Sequence, residues 1–162
     1  MSNQLNICLN SDMWEKEPDF DNWKLTLPKV LDETIYKMNL RDCEVNLLLT
    51  DDNEIRQLNY DFRSIDTPTN VLSFPQYEQP EELNLDVENT CIGDIAMAYE
   101  TIKREAIDFN KRFFDRATHL FVHGTLHLLG LDHVEENERF EMERVETEIL
   151  ALFNIKDPYT LG

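Results

Sequence analysis

Apolar residues return along this chain with two periods, and the switch between them marks out the elements. LNICLN, near the N-terminus, alternates as a half-buried strand does. From residue 21 to 39, Trp23, Leu27, Val30, Leu31, Ile35 and Met38 recur at three- and four-residue steps, which predicts a helix. Pro28 lies inside it and is expected to break it or delay its start. EVNLLLT, residues 44–50, reads as a strand with a mostly buried face. Asp51 and Glu54 have the spacing of an N-terminal capping pair, opening a helix that carries Leu58 and Phe62.

VLSF, closed by Pro75, reads as an edge strand, because proline cannot donate to a ladder on both sides. Residues 76–90 are acidic, contain Pro80 and read as a solvated loop. CIGDIAMA is a further strand, and helices are predicted over 99–109, 115–129 and 135–152. On the last helix Met142, Val145 and Ile149 form one buried stripe. Its glutamates read as a solvated face with Arg139 and Arg144 as ion-pair partners. The fold class expected is α+β: a single domain over residues 1–162, with one mixed sheet packed by helices.

Composition narrows the function classes. Of 162 residues, 41% are hydrophobic and 10% aromatic, enough for one core. The first twenty residues lack a basic stretch followed by a long apolar one, so no signal peptide is expected. No apolar run approaches the length of a membrane span. Cys8, Cys43 and Cys91 show no metal or redox spacing and read as reduced, small buried hydrophobes of a cytoplasmic protein. The net charge of −18 argues against coating nucleic acid by charge alone, while leaving room for a local basic groove. Lys103, Arg104, Lys111, Arg112 and Arg116 fall in one segment and Arg56 and Arg63 in another. Acids dilute both, so solvated helix faces are the default reading.

The histidines change the picture. All 4 lie between residues 119 and 133, in HLFVHGTLHLLGLDH. His123 and His127 are one turn apart on a predicted helix, so both imidazoles leave the same face, as two ligands of one metal ion do. Gly130 tolerates the left-handed backbone that ends a helix, and the chain can then bring His133 back towards them. His119 lies on the same stripe, about 12 Å from His127 along the axis, too far to share an ion with it. It is expected to be a core residue or to support a ligand. Three protein ligands leave the fourth tetrahedral position open, as in catalytic rather than structural zinc sites.

The spacing H-x-x-x-H-x-x-G-x-x-H equals that of the metzincin metalloproteases. Their motif needs a glutamate directly after the first histidine as general base, and here that position is Gly124.

Three stretches together resemble one family. HGTLHLLGLDH resembles the signature of the YbeY family of bacterial rRNA-maturation endoribonucleases. LNYDFRSIDTPTNVLSFP, residues 58–75, resembles that family's arginine-containing segment, and IGDIAMA, residues 92–98, is similar to its GDI strand. The stretches occur in the family's order.

The resemblance implies one Zn2+ per chain on His123, His127 and His133. It implies hydrolysis of single-stranded RNA in small-subunit rRNA maturation and ribosome assembly, with Arg63 as the functional arginine that stabilises charge at phosphorus. RNA, with ribosomal or assembly proteins, is then the expected partner; no DNA and no membrane are expected. Two alternatives stay open at this point. One is a non-catalytic, zinc-containing ribosome-assembly factor; the other is a metalloprotease. Arg63 itself has a plain alternative role, an ion pair with Asp61, Asp66 or another carboxylate.

Overall fold

The computed structural model describes residues 3–76, 90–131 and 135–159. Its elements run β1 (Gln4–Leu9), α1 (Met13–Lys16), α2 (Phe20–Lys37), β2 (Cys43–Thr50), α3 (Asp52–Arg63), β3 (Val71–Pro75), β4 (Thr90–Ala98), α4 (Tyr99–Asp108), α5 (Phe113–Leu128) and α6 (Glu136–Leu152). The expected solvated loop over 76–90 lies almost wholly outside the described residues.

The strands form one mixed sheet in the order β1-β2-β4-β3. β1 pairs with β2 and β2 with β4 in parallel, and β3 runs antiparallel to β4 with Val71 opposite Met97. β3 is therefore an edge strand, and Pro75 sits where its missing N–H costs least. The α+β class read from the pattern holds, with helices packed on a mixed sheet.

Alternation along the strands divides the interior in two. Val45, Leu47, Leu49, Ile95 and Met97 turn to one side and join Trp23, Leu27, Leu31, Phe121, Val122 and Leu126 of α2 and α5 in the main core. Leu48, Ala96 and Ala98 turn to the other side and meet Ile55 and Leu58 of α3, with Leu72 and Phe74. Asp51 caps α3 as its spacing predicts, its carboxylate accepting from the Glu54 N–H at 2.8 Å.

Two expectations need correction. Pro28 neither breaks nor delays α2, which runs unbroken from Phe20 to Lys37. Lys24, whose carbonyl loses a partner at Pro28, is exposed, as is Pro28 itself, so water can serve that carbonyl. Cys43 is buried as expected, but Cys8 is exposed and Cys91 half-buried. The short α1 was not legible in the pattern. It exists to deliver one side chain: Trp14 is fully buried, stacks on Trp23 at 5.7 Å and donates its indole N–H to the Thr50 carbonyl at 2.9 Å.

α5 is the element that places the site. Trp23 donates to Thr118 Oγ1 at 2.9 Å, tying α2 to it, and its far side lies against β3 and β4. Contact there is close. A Cβ added at Gly124 would stand 3.1 Å from Ser73 Oγ and 3.3 Å from both Ile95 and Val71. Ser73 also donates to the Gly124 carbonyl at 2.9 Å. The helix ends as Gly130 predicts. Gly130 takes φ 95°, its N–H reaches the His127 carbonyl at 3.0 Å, and the Leu131 N–H reaches that of Leu126 at 3.1 Å.

Candidate active site

A cleft of about 690 Å³ opens between two walls. One wall is the end of α3 and the start of β3, with Phe62, Arg63 and Asn70. The other is α5, with His119, His123 and His127, and Tyr159 beyond α6. Four-residue spacing on α5 sets the three imidazoles along one stripe, as the pattern requires.

His123 and His127 meet. Their Nε2 atoms are 3.0 Å apart and the rings are nearly perpendicular, at 82°. His133, the third member of the expected set, lies outside the described residues. Among the described residues no group of three or more candidate ligands gathers.

Behind the pair sits a residue that the sequence reading placed wrongly. Glu146 was expected on the solvated face of α6, yet it is fully buried. Its Oε2 is 3.0 Å from His123 Nδ1 and its Oε1 is 2.6 Å from His119 Nε2. The Tyr159 hydroxyl donates to the same Oε1. Burial alone would raise the Glu146 pKa; the hydrogen bonds from His119 and His123 outweigh it and hold the group at about 2. Glu146 is thus a carboxylate with three donors. Tyr159 responds in the opposite direction, its phenol pushed up by burial and by Glu146. A signal for Glu146 existed, because position 146 falls on the same stripe as Met142, Val145 and Ile149. For Tyr159, in the segment after α6, no periodicity applied.

The carboxylate sets a tautomer. Glu146 accepts from His123 Nδ1–H, so in the neutral imidazole the lone pair is on Nε2, the atom that faces His127. His119 is turned away from that meeting point and touches Glu146 instead.

Arg63 is the last residue of α3 and is exposed, beside the cleft. The ion pairs considered for it are taken by others. Asp66 holds Arg56 through contacts of 2.8 and 3.2 Å, and Asp61 accepts from Gln57 at 2.9 Å. Among the described residues no carboxylate pairs with Arg63. The segment after it is strapped back by Asn59, which is buried and donates to the Thr67 carbonyl at 2.9 Å. The second basic segment is partly spoken for: Lys103 pairs with Glu17 at 2.6 Å and Arg116 with Glu105 at 2.9 Å.

Fold and cleft together define a small domain in which a carboxylate-braced histidine pair faces an arginine that no described carboxylate pairs with, an arrangement suited to a cation and an anionic substrate. The comparisons with known proteins agree with one another. The family model described as Endoribonuclease YbeY matches residues 9–154. The chain is 43% identical over 153 residues to the Endoribonuclease YbeY of Bradyrhizobium diazoefficiens, covering 94% of this chain and 83% of that one. To that of Francisella philomiragia it is 45% identical over 123 residues, covering 76% and 77%. The solution structure of TM1509 from Thermotoga maritima matches with a TM-score of 0.57 at 25% identity, over 98% of this chain and 97% of that one. The chain belongs to the endoribonuclease YbeY family.

Proposed function

We propose that this chain is a cytoplasmic, zinc-dependent endoribonuclease that cuts single-stranded rRNA during small-subunit maturation. The observation that carries the metal reading is the meeting of His123 and His127. Two nitrogens on one tetrahedral zinc stand about 3.3 Å apart, from bond lengths of about 2.0–2.1 Å. The 3.0 Å separation here is close to that. A neutral His123 with its proton on Nδ1 presents the lone pair a metal needs, and Glu146 is the carboxylate that commonly orients such a ligand. The two described donors suit zinc, and the spacing of the sequence offers His133 as the third ligand.

When bound, zinc would supply Lewis acidity and an acidified water at neutral pH. The chain's own residues do the rest. Arg63 meets the non-bridging phosphate oxygens and offsets charge that builds at phosphorus. Phe62, 54% exposed beside Arg63 and braced edge-on by Phe74 at 4.6 Å, offers a ring for an unpaired base to stack on. Stacking lets a chain with a net charge of −18 hold RNA without a broad basic surface.

The peptidase reading loses its support at Gly124. That position faces β3 and β4 more closely than ordinary van der Waals contact, so a general base built there would point into the sheet and not the cleft. The assembly-factor reading needs zinc to hold the fold. The α5 terminus is instead closed by its own backbone, and the helix is anchored by Leu120, Phe121, Val122 and Leu126 in the main core.

The test is cleavage of rRNA by zinc-loaded wild type beside His127→Ala and Arg63→Ala, purified identically. Wild-type cleavage lost in both folded variants is the expected result. Equal cleavage by all three would assign the activity to a contaminant and move the assembly-factor reading ahead.

A further inference from the structure

The polar contacts of the histidine wall do not stop at Glu146. They continue through His119 to Arg116, whose Nη1 lies 3.2 Å from His119 Nδ1. Arg116 in turn donates through Nε and Nη2 to Glu105 Oε1, at 3.1 and 2.9 Å. Glu105 is gripped by Asn70, whose Nδ2 stands 3.0 and 3.2 Å from its two oxygens. Asn70 belongs to the opposite wall of the cleft, just before β3. One chain of hydrogen bonds therefore runs from one wall to the other behind the open space.

The direction of every link is fixed by chemistry. A guanidinium has no acceptor, so His119 Nδ1 must accept from Arg116. The proton of a neutral His119 is then on Nε2, the nitrogen that meets Glu146 Oε1. Glu146 can only accept, which leaves the proton of His123 on Nδ1. With the opposite His119 tautomer, two donors would face each other at Arg116 and a lone pair would face a buried carboxylate, because the Tyr159 hydroxyl, 3.0 Å from His119 Nε2, already donates to Glu146. Both are costly away from water. Arg116 is well placed for this work, with a side chain only 16% exposed, paired with Glu105 and set over the Phe109 ring at 5.2 Å.

We infer that Arg116 and His119 are positioning residues: they lock Glu146 as a two-imidazole acceptor and so hold His123 with Nε2 turned, unprotonated, to the metal. This rests on the metal reading above, and the experiment separates the two. Metal-free protein would be titrated with Zn2+ against a chromophoric chelator. The samples are wild type, His127→Ala, Arg116→Met, His119→Leu and His119→Gln, each with a thermal melt to report folding. Glutamine can accept from Arg116 and donate to Glu146, so it replaces the imidazole in kind.

Arg116→Met and His119→Leu are expected to bind zinc about 10–100-fold more weakly than wild type, and His119→Gln to stay within about threefold of it. If Arg116→Met and His119→Leu bind as tightly as wild type while His127→Ala does not, the positioning role is overturned and the metal site stands. If wild type binds no more tightly than His127→Ala, the metal reading fails first. Nitrogen-15 spectra of the imidazoles in metal-free wild type decide the tautomers without metal or mutation. Protons on His119 Nε2 and His123 Nδ1 are expected, and His119 protonated on Nδ1 alone would overturn the inference.

Discussion

The two walls of the cleft are built on opposite plans. On the α5 side the polar groups are interlocked: Glu146 is fully buried and accepts from His119, His123 and Tyr159. On the α3 side Arg63 and Phe62 stand exposed, and Arg63 pairs with no described carboxylate. On the proposed function, the difference follows from what each wall would hold. A small cation needs ligands fixed to within a few tenths of an ångström before it arrives. A flexible polyanion needs contacts that can adjust to it, and a long side chain at a helix end adjusts cheaply. One wall thus spends stability on geometry, while the other leaves its groups available to the substrate.

The comparison predicts that damage to the two walls separates function from stability. Arg63→Ala should lower kcat by about 10²–10³-fold, the usual cost of losing a charge-stabilising donor, with unfolding free energy within about 0.5 kcal/mol of wild type. Single-turnover cleavage and urea titration would read the two effects; a large loss of stability would mean that Arg63 is part of the frame. Glu146→Ala should do the reverse in kind. Removing the acceptor from beneath His119 and His123 should cost about 3 kcal/mol of stability in addition to metal affinity. An unchanged urea midpoint would break the contrast between the walls.

A change in the core, outside the cleft lining, serves as the reference. Cys43 is buried at the start of β2, and burial, with Asp42 nearby, raises its thiol from 9.0 to about 11. A folded-state pKa above the unfolded one means that this contribution is complete below pH 9.0 and is lost as pH rises towards about 11. Stability should fall by about 2 kcal/mol between pH 8 and pH 10.5, and Cys43→Ala should lessen that fall. Zinc affinity at pH 7 should not change. Phe62→Ala is the mildest case. About tenfold in KM for single-stranded RNA is expected, within the range for one stacked base, with kcat nearly unchanged and tryptophan restoring KM. An effect on kcat instead would place Phe62 at the reacting centre.

Much of this was legible in the sequence, and the rest has identifiable reasons. Strands, long helices and the Gly130 stop follow from local periodicity and backbone preference. The meeting of His123 and His127 follows from helical geometry alone. Pro28 misled because its penalty depends on whether water can reach the carbonyl it leaves unbonded, and exposure is a tertiary property. Glu146 misled because its charge argued for solvent while its place on the Met142–Val145–Ile149 stripe argued for burial, and only the packing of α5 against α6 decides between them. The chain Asn70–Glu105–Arg116–His119 joins residues from three separate stretches, which no spacing rule brings together.

The histidine wall is proposed to be a catalytic metal site and not a brace for the fold. The most direct measurement removes zinc with a chelator and returns it in steps, following rRNA cleavage and the thermal melt on the same samples. The account predicts no cleavage without metal, a melt that still shows a folded protein, and activity that returns in full at one zinc per chain. Undiminished cleavage by the stripped protein, or unfolding on removal of the metal, would contradict it.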